Sequence, residues 1–306
     1  MAAQERRAET DRRPAPARCL EGLAHGRRPA RPDRTRGRRT RRGLPLLVIA
    51  AIVSMGAGPR DALLRARQAY NQQQYDAAIE AATEAQRVAA SADAAALVLA
   101  RARLERFRQK GSADDLAAAR DGFIRLDSSR LTPRERQELL VGLGEVLFLD
   151  ERYGAAAEQF NLALSRGDPA APGAWRTLEW WASAVDRQAQ LEPGVDQKLL
   201  YAPVLQRMED ELRGNAASAV ASYWLSAAAR GVGDLPRAWD AAVAGWVRAP
   251  LSGDQREALR ADLDRLVLQA IIPERARQSA SGRDPGPAVA ALRADWDRIK
   301  QQWTAR

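Results

Sequence analysis

Cysteine and histidine are nearly absent from this chain of 306 residues. The one cysteine is Cys19 and the one histidine is His25, so residues 44–306 contain neither. That stretch cannot supply a thiolate nucleophile, a Ser–His–Asp triad or a zinc site built on Cys and His. No disulfide can brace it, and cysteine usage says nothing about redox compartment. Lysine is scarce as well: Lys110, Lys198 and Lys300 are the only ones, and the remaining bases are Arg. A text dominated by Ala and Arg fits a GC-rich bacterial genome. A glycine-rich phosphate loop is missing too, since the Gly-Val-Gly-Asp at 231–234 falls in a turn between helical segments. The sequence therefore predicts no cofactor, no metal and no catalytic residue.

A long apolar run is also lacking. The uncharged stretch at 43–58 falls short of the roughly 20 apolar residues that span a bilayer as a helix. Its basic front and the small residues Ser54, Gly56 and Ala57 fit a secretory signal peptide. Met55 spoils a clean small-x-small cleavage site, so a retained membrane anchor stands beside that reading. No Cys follows the run, which excludes a bacterial lipoprotein attachment site. Residues 1–42 mix Arg, Pro, Ala and Gly without hydrophobic periodicity and read as a disordered leader. A start codon assigned too far upstream would explain them equally. Arg41-Arg42 resembles a twin-arginine export signal, but Arg pairs recur along the leader and the match carries no weight.

Net charge separates the two parts of the chain. Residues 1–43 hold 14 Arg against 5 acidic residues and account for the whole net charge of +9. Residues 44–306 balance at 34 basic and 34 acidic side chains. Nucleic-acid affinity rests on clustered Lys and Arg, so no nucleic-acid binding is expected beyond the leader.

What is present is helical periodicity in repeated units. The clearest unit lies at 137–169, with Leu140, Leu143, Gly144, Leu147, Phe148, Tyr153, Ala156, Phe160, Ala163 and Pro169. Leu140, Leu143 and Leu147 recur as one helical stripe, Gly144 and Ala156 permit close helix crossing, and Phe160 fills the space beside them. Asp168-Pro169 closes the second helix. Tyr75, Tyr153 and Leu235 occupy equivalent places, each followed three residues later by Ala78, Ala156 or Ala238.

This pattern resembles the tetratricopeptide repeat. The resemblance covers 59–169 and 215–250. A weaker unit lies between the first two, and its connection at 109–115 is longer than the family expects. Residues 170–214 read as a degenerate helical pair, 174–190 and 195–213. Beyond it, 251–278 is expected to be a capping helix begun at Asp254 and stopped by Pro273, and 279–306 a linker with a terminal helix. The expected fold is all-α, an α-solenoid of antiparallel helix pairs with extra C-terminal helices.

All eight tryptophans lie at or beyond Trp175. Trp175, Trp181, Trp239 and Trp246 sit at helical intervals with other apolar residues and read as core, whereas Trp296 and Trp303 can dock the terminal helix or meet a partner. The acidic clusters Asp114-Asp115, Glu209–Glu211 and Asp262/Asp264 are interspersed with Arg and read as solvated faces with local ion pairs. The resemblance implies a concave groove lined by the first helix of each pair. Positions five, eight or twelve residues before the three anchors give Arg67, Tyr70, Glu145, Phe148, Tyr223 and Arg230 as partner-binding candidates. Rings, cations and carboxylates together suit recognition of a protein or peptide. The implied function is a non-catalytic scaffold of the bacterial cell envelope, periplasmic or held to the inner membrane through 43–58. A cytoplasmic adaptor and a glycan-processing enzyme working through carboxylates alone are the rivals.

Overall fold

In the computed structural model the described residues are 59–304, apart from 169, 170, 172 and 193. The leader, the apolar stretch at 43–58 and Pro169 lie outside them. Every regular element among the described residues is helical, as the 3.6-residue periodicity requires.

Three helix–turn–helix units share one turn. Helix α1 (Pro59–Asn71) is followed by α2 (Tyr75–Ala85), α5 (Pro133–Leu149) by α6 (Tyr153–Arg166), and α9 (Ala219–Gly231) by α10 (Leu235–Arg248). In each, the residue two before the second helix has a left-handed backbone: Gln73 at φ 60°, Glu151 at φ 59° and Gly233 at φ 86°. The next amide then reaches back five residues, Gln74 to Ala69, Arg152 to Leu147 and Asp234 to Ala229, at 2.8–2.9 Å. This is the bonding that satisfies the last carbonyls of a helix. Ala78, Ala156 and Ala238 follow at the same offset and are all fully buried, because the two helices of a unit cross there. Gly144 meets the same demand: a Cβ on it would lie 2.7 Å from the ring of Phe160.

The units between are built differently. Helix α3 (Ala92–Lys110) and α4 (Ala113–Ile124) are joined through Gly111, at φ 72°, and Ser112 alone. The segment expected as a long loop is mostly helix, since Ala113 to Asp115 form the first turn of α4. Helix α7 (Ala174–Leu191) and α8 (Val195–Gly214) flank Gly194, with limits within a residue of expectation. Along α5 the buried residues include Leu139, Val146 and Phe148, one position away from the expected stripe, and Leu140, Leu143 and Leu147 are half-buried.

The C-terminal part departs most from expectation. Helix α11 (Arg256–Leu266) has Gln255 as its N-cap, and Asp254 lies in the preceding 3-10 segment. Pro273 does not stop the helix. A π-helical turn at Val267–Ile271 leads directly into α12 (Ile272–Ala280), and Pro273 sits in the first turn of α12, where a missing amide is tolerated. Helix α13 (Gly286–Thr304) is the last of the described helices.

Each helix packs on the next in sequence except α11, which runs on into α12 through the π turn, and α1, α3, α5, α7, α9 and α11 also touch one another in that order, forming a continuous row. The core changes character along it. Around α1 to α3 it is mostly Ala with a few Leu and Val. From Phe148 onward it becomes a single aromatic and aliphatic cluster holding Trp181, Trp224, Trp239, Trp246 and Trp296. No described helix is long and apolar enough to cross a membrane.

Candidate partner-binding face

A chain of polar and aromatic contacts crosses four helices of the row. Tyr70 on α1 lies under the guanidinium of Arg101 on α3, 4.9 Å from its ring centroid. Arg101 donates to Glu138 on α5 at 2.7 Å. One helical turn on, Glu105 pairs with Arg108 at 2.7 Å, and Arg108 lies 3.3 Å from Glu145 on α5. Arg108 also covers the Trp180 ring of α7 at 5.1 Å, and Trp180 meets the edge of Phe148 at 5.0 Å. At the start of α5, Arg67 of α1 donates to Glu135 at 2.7 Å. Glu135 also closes a capping box with Thr132, so one carboxylate starts a helix and ties it to α1.

Burial sets the chemistry of this face. It pushes the Tyr70 phenol far above its ordinary range, with Glu105 and Glu145 adding to the shift and Arg101 opposing it, so Tyr70 remains a hydrogen-bond donor. Burial also raises the Glu105 carboxyl against the pull of Arg108. The Nη2 of Arg108 is buried and near Glu145, yet no hydrogen bond reaches it. A cation is thus held between two carboxylates and an indole.

Of the predicted site residues, Tyr70, Glu145 and Phe148 belong to these contacts, and Arg67 pairs separately with Glu135 at the start of α5. Phe148 is buried against Tyr153 and Trp180 and acts as a wall rather than a contact surface. Tyr223 and Arg230 belong elsewhere. Tyr223 packs edge-on against Trp224 at 5.3 Å. Arg230 forms a forked pair with Glu274 of α12 at 2.6–3.1 Å, close to a buried Tyr201–Asp186 hydrogen bond of 2.6 Å. It closes the row at α12 instead of offering a free cation. Arg101, Glu105 and Arg108 were not singled out by anchor spacing, because their unit has no anchor residue. Their own spacing of four and three residues with alternating sign was the available signal.

No family model matches the chain, and no curated protein does.

The acidic clusters divide between surface and interior. Asp115 is buried and accepts from Arg106 at 2.5–2.8 Å, so it is not a solvated face, whereas the half-buried Asp264 accepts from Trp296 and Lys300. Glu209 pairs with Arg237 and Asp210 with Arg213 on more open surface. Glu179, passed over in the sequence, is only 8% exposed. Burial pushes its carboxyl up to about 7, Asp262 adds to the rise and Arg176 opposes it. Among the described residues no group of His, Cys, Asp and Glu could hold a metal ion.

Proposed function

We propose that the described residues form a tetratricopeptide-like α-solenoid and that the protein is a non-catalytic scaffold, holding a segment of another protein against the row α1–α3–α5–α7. The observation that carries this reading is the pair of contact runs that α3 sends out one turn apart, Arg101 to Tyr70 and Glu138, and Arg108 to Glu145 and Trp180. It presents cations, carboxylates and rings from four successive helices on one row, the mixture that recognises a polar peptide with one or two apolar anchors. The shared turn at Gln73, Glu151 and Gly233 supports the repeat reading independently of side-chain identity. The apolar stretch at 43–58 supports placement in the bacterial envelope, with the scaffold outside the cytoplasm.

A photoreactive residue at Tyr70 or Glu145 should cross-link a specific protein in cells, and one at Ile124 or Leu162, exposed on α4 and α6, should not. Equal labelling from both sets would remove the proposed face. The N-terminus of the native protein, read by mass spectrometry on fractionated cells, tests the location. A terminus near Ala57 in the periplasm or an intact anchor in the membrane fits the envelope scaffold. An intact chain in the cytosol would leave an adaptor with the same face.

A further inference from the structure

The charges of the proposed face are mostly paired with one another. Arg67 is held by Glu135, Arg101 by Glu138, and Arg108 by Glu105 and Glu145, at 2.7–3.3 Å. Groups already paired discriminate weakly between partners, so the chemistry of the partner is set by the groups that remain. Two phenols and one guanidinium remain. Tyr70 and Tyr75 touch ring to ring at 5.8 Å with their planes 59° apart. Both are half-buried, and neither hydroxyl has a hydrogen-bond partner among the described residues. Arg176 is exposed, lies over Trp175 at 5.2 Å and has no ion pair among the described residues.

Helix register brings the three together. Arg176 lies one turn before Trp180 on the same face of α7, and Trp180 is the ring that Arg108 of α3 covers at 5.1 Å. Arg101, two turns before Arg108, covers Tyr70 at 4.9 Å. Arg176 is close enough to Tyr75 to act on its phenol, together with Glu105, Arg108 and Arg101. Three guanidiniums and one carboxylate thus surround that hydroxyl. Burial pushes both phenols above their ordinary range and keeps them protonated, so each offers a donor.

Two O–H donors beside an unpaired guanidinium in a positive field match a carboxylate, whose oxygens accept several hydrogen bonds and favour charged donors. A basic side chain would meet three like charges, and a neutral amide would leave Arg176 without a counter-charge.

We propose that Tyr70, Tyr75 and Arg176 receive an acidic side chain, Asp or Glu, of the bound segment, an assignment that rests on the scaffold reading above. The probe is blocked glutamate, N-acetyl-glutamate amide, titrated into the full chain up to about 50 mM, the range in which a single side chain binds. Ring-labelled tyrosine gives the readout, since the chain has only five tyrosines. The Tyr70 and Tyr75 signals should shift and saturate, and blocked glutamine should leave them in place. Tyr75→Phe and Arg176→Gln should each weaken binding about tenfold, the usual loss for a hydrogen bond to a charged group. Tyr75→Phe keeps the ring contact with Tyr70, so the fold is preserved. An equal response to glutamine, or no response to glutamate, overturns the proposal. In cells, Tyr75→Phe should cut capture of the partner by a photoreactive residue at Glu145 about tenfold. Undiminished capture overturns the acidic contact and leaves the scaffold standing. Absence of any captured partner, with the glutamate response intact, removes the scaffold and leaves the carboxylate site.

Discussion

At the scale of single residues, backbone geometry and burial each lead to a test. Gln73 and Glu151 occupy the left-handed position that Gly233 fills in the third unit. Gly tolerates this conformation and other residues pay about 1 kcal/mol. Gln73→Gly and Glu151→Gly should therefore each stabilise the fold by up to about 1 kcal/mol, and Gly233→Ala should destabilise it by a similar amount. A Cβ at Gly233 would meet only Lys198, at 3.7 Å, so the penalty there is conformational, and urea midpoints would resolve it. Glu179 gives a pH test. Its folded value of about 7 lies above its ordinary 4.5, so the folded state holds the proton more tightly. Its contribution is present in full below about pH 4.5 and is lost as pH rises towards 7, by up to about 3 kcal/mol. Glu179→Gln should flatten the fall of unfolding free energy between pH 5 and 8; an unchanged slope would mean the carboxyl is ionised throughout. Anchor offsets located Tyr70 and Glu145 from sequence because their positions depend only on helical register. Arg230's capture by Glu274, 44 residues away, was not legible, since a tertiary pair leaves no local pattern.

At the scale of elements, local chemistry explains both what the sequence revealed and what it hid. The break between α7 and α8 was readable because Gly194 sits there with a positive φ that favours glycine. The continuation through Pro273 was not, because a π turn contributed by the preceding residues accommodates the missing amide. Nor was the short α3–α4 connection: polar residues at 112–115 look like loop, yet Asp114 and Asp115 favour the positive end of a helix. The start of α5 depends on Thr132, whose hydroxyl accepts from the Glu135 amide at 3.3 Å while Glu135 returns to the Thr132 amide at 2.9 Å. Thr132→Ala should cost about 1 kcal/mol. Glu135→Ala should cost more than that, because it also releases Arg67 and loosens α1 from α5. Equal losses in equilibrium unfolding would show that the Arg67 pair contributes nothing, as exposed ion pairs often do.

At the scale of the whole molecule, the row is uneven, and its stability should be uneven too. In arrays where each unit touches mainly its neighbours, stability is a sum of local units and interfaces, so a weak end can open alone. The first end is weak by composition. Its clusters rest on Ala62, Ala66, Ala82, Ala85 and Ala95 with Val98 and Leu99, and each Ala removes little apolar surface from water. From α7 onward the same space holds indole rings, each contributing several times as much burial. Four rings serve α1 to α4, namely Tyr70, Tyr75, Phe107 and Phe123, while all eight tryptophans lie from α7 onward. The contacts from Tyr70 to Trp180 cross that gradient, so the proposed binding face begins on the softer end and reaches the aromatic one. Amides of α1 and α2 should exchange with deuterium at least about tenfold faster than those of α8 to α10, through openings that leave the aromatic half folded. A bound partner should slow exchange in α1 and α3 most, because closure of that end is what it would select. Uniform protection along the chain would mean that Glu135, Glu138 and their arginines couple the Ala-rich end to the rest as strongly as the tryptophans bind their own.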